Sequence, residues 1–250
     1  MKTQIIIAGH GGQGVLDLAN FISYYQLLKG RHVAYTPSYG PESRGGKVKC
    51  YVVASDEEID SPIVEEPDVL VVMNTPSMDF VPMLKKKGTL LMNTSLISEE
   101  PKRGDVAIVK APVTELAARL EGPQLAGVKD PTIAANSVMF GVYLAVTGED
   151  LIAQTELVKE VFAHFLTDRK AVFIPLNMSA VDRGYGFIAG GESARRFSID
   201  RMDGCRSSGI NMALDRTRLD YTARAGTPTI ASKSNITKCR QIFSTGWHCH

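Results

Sequence analysis

A glycine-rich turn lies between an apolar run and a helical pattern at the start of this chain. The run Gln4–Ala8 precedes the turn Gly9–Gly14, which reads GHGGQG, and apolar residues then recur at helical spacing at Val15, Leu18 and Ile22. A strand, a tight glycine turn and a helix in this order form the opening unit of many nucleotide-binding α/β folds. The first 25 residues therefore favour a sheet with a helix packed on it.

The same alternation continues along the chain to about Ile188. Apolar strand-like runs occur at Val48–Val53, Asp68–Met73, Thr89–Met92 and Val106–Val109, and helical patterns at Val113–Leu120, Ile133–Val146 and Leu151–Leu166. This order predicts an α/β fold: a Rossmann-like, mostly parallel sheet with helices on both faces. The alternating polarity of Val48–Val53 indicates a strand nearer an edge of the sheet.

The chain changes character after about Gly190. Residues 189–250 contain many arginines, scattered serine and threonine, and no apolar periodicity. Such a segment cannot bury enough apolar surface to order itself, so we predict a domain over residues 1–188 and a basic, poorly structured, flexible extension of unknown role over 189–250. The extension lacks the aromatic residues and motifs of specific nucleic-acid binding, and we expect no nucleic-acid partner.

The charge and the hydropathy pattern exclude several protein classes. The chain has 28 basic and 27 acidic side chains, so it produces no overall field for nucleic acid or anionic membrane. No apolar run approaches the roughly 20 residues of a membrane span. The chain passes from Met1 and Lys2 directly into a strand-like run without a signal-peptide pattern, which favours a cytoplasmic protein.

The four cysteines do not form a cluster-binding pattern. They contain no Cys-x-x-Cys pair and no ferredoxin-like run, so we expect no iron–sulfur cluster in this chain. Cys239 and the run His248–His250 are interpreted as solvated tail residues, because three consecutive side chains do not converge on one ion. Cys50 has no neighbour that would activate a thiolate and is interpreted as a structural cysteine. We predict no metal site.

The first glycine turn has the spacing of a dinucleotide-binding loop, but its usual partner is missing. An NAD site needs an acidic residue about 20 positions beyond the loop to hold the ribose hydroxyls. No carboxylate lies between Asp17 and Glu42, which argues against a conventional NAD-dependent dehydrogenase. A purely structural role, in which the glycines let the first helix pack closely on its strand, stays open.

The second glycine-rich turn, Gly40–Gly46 (GPESRGG), carries an arginine. Arg44 offers a fork of donors for phosphate or carboxylate, and the adjacent glycines allow close approach of a ligand to the backbone. The alternative is a surface loop in which Arg44 pairs with Glu42 or Asp68.

No catalytic constellation accompanies the two turns. The sequence has no Gly-x-Ser-x-Gly elbow, and we predict no catalytic residue in this chain. Asn136 opens an apolar helix, where its amide would either face a ligand or partner or cap the helix.

Several motifs in order resemble the γ subunit of the 2-oxoacid:ferredoxin oxidoreductases, and the match covers about residues 1–188. The matching stretches are Gly11–Val15, Pro37–Gly46, Ser61-Pro62 with Pro67-Asp68, Asn93–Ile97, Asn136–Gly141, and the last helix around Asn177 with Gly184-Tyr185. The form of the second turn is more similar to the 2-oxoglutarate and branched-chain 2-oxoacid members than to the pyruvate or indolepyruvate members.

The resemblance implies a division of labour between chains. Thiamine diphosphate and Mg²⁺ would lie on α and β subunits, iron–sulfur clusters on a ferredoxin-like δ subunit, and ferredoxin would accept the electrons. The chain has no Gly-Asp-Gly segment of the kind that holds the diphosphate, so we expect it to bind no cofactor alone and to be inactive in isolation. Coenzyme A would be the co-substrate.

The resemblance also suggests one composite site built by both turns. The candidate residues for binding coenzyme A or another anion, or for contacting a subunit, are Gly11, Gly12, Gln13, Gly14, Ser43, Arg44, Gly45, Gly46 and Asn136. We favour 2-oxoglutarate as the substrate of the complex. The alternatives are a ketoisovalerate member of the family, a non-catalytic scaffold without a ligand, and a stand-alone nucleotide-binding oxidoreductase.

Overall fold

A single mixed sheet organises the protein. The computed structural model describes residues 1–39, 46–125, 128–190 and 229–231. The strands are β1 (Lys2–His10), β2 (His32–Tyr39), β3 (Lys47–Ser55), β4 (Val69–Val72), β5 (Thr89–Asn93), β6 (Ala107–Ala111) and β7 (Thr229–Ala231). Their order across the sheet is β6-β5-β4-β1-β3-β2-β7.

The sheet has a parallel half and an antiparallel half that meet at β1. On one side β1, β4, β5 and β6 run parallel, as the alternation of strands and helices predicts. On the other side β3 pairs antiparallel with both β1 and β2. The α/β prediction is confirmed, but the sheet is mixed rather than mostly parallel, because three of the six strand pairings among the described residues are antiparallel.

β3 lies inside the sheet rather than near an edge. Its apolar residues Val48, Cys50 and Val52 are buried, as the alternation indicates. On its other side the Lys49 ammonium lies 5.2 Å from the centre of the Tyr51 ring and 5.1 Å from that of Phe80. The edge prediction for this strand was wrong, because β3 is hydrogen-bonded to β1 on one side and to β2 on the other.

Among the described residues, five α-helices pack together in the larger of two apolar cores, against one face of the sheet. They are α1 (Val15–Leu28), α2 (Val113–Ala118), α3 (Ala135–Val146), α4 (Leu151–Phe165) and α5 (Ile174–Ala189). The smaller core lies on the other face and contains Val81 of the 3-10 helix Thr75–Met83, together with Leu70 and Leu90 of the sheet. Helical segments therefore cover both faces, as predicted.

α3 and α5 pack at backbone distance because each has a glycine at the contact. A Cβ at Gly141 would overlap the carbonyl oxygen of Val181, and a Cβ at Gly184 would overlap that of Val138. Near the start of these helices the Ser137 hydroxyl donates a hydrogen bond to Asn177 Oδ1 at 2.5 Å. The two helices therefore form one tightly joined pair.

Little of the predicted extension belongs to the described part of the chain. Helix α5 ends at Ala189, and the short strand Thr229–Ala231 pairs antiparallel with Val33–Tyr35 of β2. The tail residues Cys239 and His248–His250 lie outside the described residues, as does the rest of the extension. Among the residues that the structure does describe, no helix has the length and apolar character needed to cross a bilayer, and no group of acidic, histidine and cysteine side chains could hold a metal ion.

Candidate functional site

The candidate site lies where the parallel strands reach their carboxyl ends. The turn Gly9–Gly14 includes the end of β1 and the residues after it, Asn74 follows β4 closely, and Asn93 ends β5. Because parallel neighbours end at the same edge of a sheet, these segments meet there. Ligands of open α/β sheets bind in a crevice at this edge.

Strand pairing brings the two glycine turns together. His10 at the end of β1 pairs with Lys47 at the start of β3, and the Gly11 amide donates a hydrogen bond to the Gly46 carbonyl oxygen at 3.2 Å. The first turn and Gly46 are therefore adjacent, as a composite site requires. Ser43, Arg44 and Gly45 lie outside the described residues.

The first turn places the start of α1 at this edge of the sheet. Gly14, the N-cap of α1, has a φ of 65° and offers no side-chain cap. A Cβ at this position would overlap the amide nitrogen of Asn136, which is the movable end of a side chain, so the left-handed backbone conformation is what requires glycine. This contact places Asn136 beside the turn, as the candidate set supposes.

Asn136 does not cap its helix. The N-cap of α3 is Ala134, which is also the last residue of the 3-10 helix Pro131–Ala134. Asn136 Oδ1 is buried and has no hydrogen-bond partner among the described residues. Buried polar atoms are nearly always paired, so this orphaned acceptor next to the turn favours an interaction with a ligand or a partner.

Asn74 and Ser77 support the first glycine turn from the segment after β4. The sequence analysis did not predict either residue. Gln13 Oε1 accepts hydrogen bonds from the His10 amide at 2.8 Å and from Asn74 Nδ2 at 2.7 Å. Asn74 Oδ1 in turn accepts from the Ser77 amide at 3.1 Å and the Ser77 hydroxyl at 2.7 Å. The first glycine turn is thus tied to the segment after β4.

Asn93 occupies a comparable place as the last residue of β5. Its side-chain amide donates to the Met73 carbonyl oxygen at 3.4 Å and to Thr114 Oγ1 at 3.2 Å, which links the ends of β4 and β5 to the start of α2. The sequence contains a signal that could have identified both asparagines. The tripeptide Met-Asn-Thr occurs at the end of each of the two apolar runs, at Met73–Thr75 and at Met92–Thr94.

The charges around the edge do not favour an anion directly on α1. Asp17 lies in the first turn of this helix and opposes the positive end of its dipole. Lys47, the described cation nearest the second turn, is paired with Asp79. Burial raises the pKa of the Asp17 carboxyl, and the positive charge of Lys170 acts in the opposite direction, so Lys170 is a further described cation that influences the start of this helix.

Asp68 is not at this edge. It precedes β4 at the opposite end of the sheet, where its carboxylate accepts hydrogen bonds from the Gln4 amide and from Lys85 Nζ, both at 2.9 Å. The interpretation in which Arg44 merely pairs with Asp68 thus requires a carboxylate that is already engaged elsewhere.

Cys50 is expected to resist alkylation in the folded protein. Its side chain is fully buried, and this burial raises the pKa of the thiol to about 12, so almost no thiolate exists at pH 8. Iodoacetamide at pH 8 should leave Cys50 unmodified in the native full chain and modify it in denaturant, as read by peptide mass spectrometry. Equal labelling in both conditions would contradict its structural role.

Comparison with known proteins agrees with this architecture. Residues 4–187 match the family described as pyruvate ferredoxin/flavodoxin oxidoreductase. The ketoisovalerate oxidoreductase subunit VorA of Methanothermobacter thermautotrophicus is 36% identical over 186 residues, which cover 73% of this chain and 36% of VorA. The 2-oxoglutarate synthase subunit KorC of Methanothermobacter marburgensis is 37% identical over 156 residues, covering 59% of this chain and 79% of KorC.

A solved structure shares the fold. The γ subunit of a keto/oxoacid ferredoxin oxidoreductase from Geobacter sulfurreducens aligns with a TM-score of 0.60 at 24% identity, covering 76% of this chain and 99% of that one. The chain spans only about a third of the length of VorA. The family match extends from β1 almost to the end of α5 and includes every described residue of the candidate site. This chain belongs to the pyruvate ferredoxin/flavodoxin oxidoreductase family.

Proposed function

We propose that this chain acts as the γ subunit of a cytoplasmic 2-oxoacid:ferredoxin oxidoreductase. The observation that carries the proposal is the family match over residues 4–187, which contains both glycine turns and the carboxyl edge of the sheet. The complex would convert a 2-oxoacid, coenzyme A and oxidised ferredoxin into an acyl-coenzyme A, carbon dioxide and reduced ferredoxin. Its α, β and δ subunits would be the partners of this chain.

The role of this chain would be to complete the assembly and to form part of the coenzyme A approach. Thiamine diphosphate with Mg²⁺ and the iron–sulfur clusters, held by partner subunits, would supply the decarboxylation and the electron transfer. At the carboxyl edge the turns present backbone amides, the Gln13 amide and the orphaned Asn136 oxygen.

For the substrate of the complex we favour 2-oxoglutarate. The form of the second turn and the similarity to KorC support this choice. A branched-chain 2-oxoacid is the second candidate, because VorA, named a ketoisovalerate oxidoreductase subunit, is comparably similar over a longer part of this chain.

The activity is tested on the complex that contains this chain. The full chain, tagged in its native host, is purified anaerobically with its partners, and reduction of ferredoxin is measured with coenzyme A and single 2-oxoacids. We expect reduction that requires both coenzyme A and the oxoacid, fastest with 2-oxoglutarate; fastest turnover with 2-oxoisovalerate selects the second candidate. An intact complex that reduces ferredoxin with no 2-oxoacid contradicts the proposal.

Arg44→Ala is expected to raise the KM for coenzyme A in this complex by about tenfold or more. A charge-assisted hydrogen bond contributes about 1.5–3 kcal/mol, which corresponds to roughly ten- to a hundredfold in affinity. The matched control is Arg119→Ala, which removes an exposed arginine whose only ion pair among the described residues is with Glu115, within α2 and its C-cap. A complex that fails to assemble with Arg44→Ala favours the scaffold alternative, and an unchanged KM contradicts a ligand contact at Arg44.

A further inference from the structure

Two neighbouring amide side chains at the carboxyl edge have orientations that backbone donors determine. The His10 amide can only donate, so the Gln13 atom that it meets at 2.8 Å is the oxygen. The Ser77 amide likewise requires the oxygen of Asn74 at 3.1 Å, which leaves Asn74 Nδ2 to donate to Gln13 Oε1. The His10 amide fixes the orientation of Gln13 and the Ser77 amide fixes that of Asn74, and both orientations are consistent with the hydrogen bond from Asn74 to Gln13.

This arrangement leaves the side-chain NH₂ group of Gln13 without a hydrogen bond among the described residues. Both lone-pair directions of Oε1 are used, whereas Nε2 meets no hydrogen-bond acceptor within the described residues. The Gln13 side chain is half-buried. Its NH₂ group is therefore available to an acceptor from outside the described residues.

The support behind Gln13 is rigid. Asn74 and Ser77 are 6% and 1% exposed, and the Asn74 oxygen is held by both donors of Ser77. Buried polar networks whose members are paired hold their side chains in one arrangement. A donor fixed in this way binds an acceptor without first losing rotamer entropy.

We propose that Gln13 Nε2 donates a hydrogen bond to an oxygen of the phosphate-bearing ligand at this edge, and that Asn74 is the residue that positions it. This inference rests on the proposed function, in which the ligand is coenzyme A. It also explains how the edge accommodates an anion although Asp17 opposes the dipole of α1. The Gln13 amide is a neutral donor and needs no positive charge to bind an oxygen.

Two substitutions that each exchange a single group test separately the Gln13 donor and the Asn74 side chain that positions it. Gln13→Glu keeps an oxygen for His10 and Asn74 but replaces the NH₂ group by a carboxylate oxygen, which repels an anion. Asn74→Asp keeps the oxygen that Ser77 needs but presents an acceptor to Gln13 Oε1, so it releases the Gln13 amide. Gln13→Leu removes both functions.

The first measurement tests the arrangement on the full chain without any ligand. Exchange of the His10 amide hydrogen, followed by NMR, should be slow in the natural protein and in Gln13→Glu, and at least about tenfold faster in Gln13→Leu. Asn74→Asp should also accelerate it. If Gln13→Leu leaves the exchange of His10 unchanged, the side chain does not hold the turn and the inference is overturned.

The second measurement tests the donor in the assembled complex. Gln13→Glu should raise the KM for coenzyme A at least about tenfold with an unchanged KM for the 2-oxoacid, and Asn74→Asp should raise the KM for coenzyme A by a smaller factor. If Arg44→Ala raises this KM and Gln13→Glu does not, the inference fails and the proposed function stands. If neither variant changes it in an active complex, the coenzyme A approach lies elsewhere and both proposals fail at this site.

Discussion

Gly184→Ala is expected to destabilise the protein by about 3 kcal/mol or more, whereas Gly186→Ala, two positions along the same helix, should stabilise it slightly. A Cβ at Gly184 overlaps the backbone of Val138 in α3, and a backbone cannot move aside as a side-chain end can. Overpacking a close contact typically costs about 1–3 kcal/mol and more where the surroundings are rigid. At the exposed Gly186 a Cβ meets nothing, and alanine favours helix by about 0.5–1 kcal/mol.

Urea unfolding followed by circular dichroism measures both variants against the natural chain. Because the two substitutions add the same methyl group to the same helix, their difference isolates the contact with α3. Equal stabilities for Gly184→Ala and Gly186→Ala would mean that α3 and α5 do not approach at backbone distance.

Phe140→Ala is expected to cost about 3–5 kcal/mol, because it empties the centre of the larger core. Phe140 is fully buried, and its ring centre lies 6.2 Å from that of Phe21, 5.8 Å from that of Tyr25 and 6.3 Å from that of Phe162. The substitution therefore removes contacts that join α1, α3 and α4 at one point. Phe140→Leu should recover more than half of the loss, since it restores most of the volume.

Val172→Ala serves as the control for the core substitution. The Val172 side chain is 64% exposed on the 3-10 helix Asp168–Phe173, and exposed substitutions usually change stability by less than about 0.5 kcal/mol. Thermal unfolding of the full chain compares the three variants. A loss for Phe140→Ala no larger than that for Val172→Ala would contradict the ring cluster.

The elements could be predicted from local patterns, and their arrangement could not. The first turn and α1 were predictable because glycine spacing and helical periodicity act within a few residues. The antiparallel half was not, because β2 ends at Tyr39 and β3 begins only at Lys47, so the stretch between them is longer than the two-residue connections that predict a hairpin. Sheet order depends on contacts between distant residues.

The candidate site shows the same limit. Gly11 and Gly46, 35 residues apart, were grouped by their motifs, and the pairing of β1 with β3 makes them neighbours. Asn74 was not among the predicted site residues. Only the parallel pairing of β1 with β4 brings its amide to Gln13.

The central position of β1 has a consequence for the order in which the chain folds. Its antiparallel neighbour β3 ends at Ser55, so β1, α1, β2 and β3 can associate before the rest of the domain has been synthesised. The parallel half docks on the other edge of β1 only after β4 has emerged. The contact of Gly11 with Gly46 belongs to the earlier unit, and the contact of Gln13 with Asn74 joins the two halves. We therefore expect the hydrogen bond between Gln13 and Asn74 to form only when the parallel half of the sheet has docked on β1.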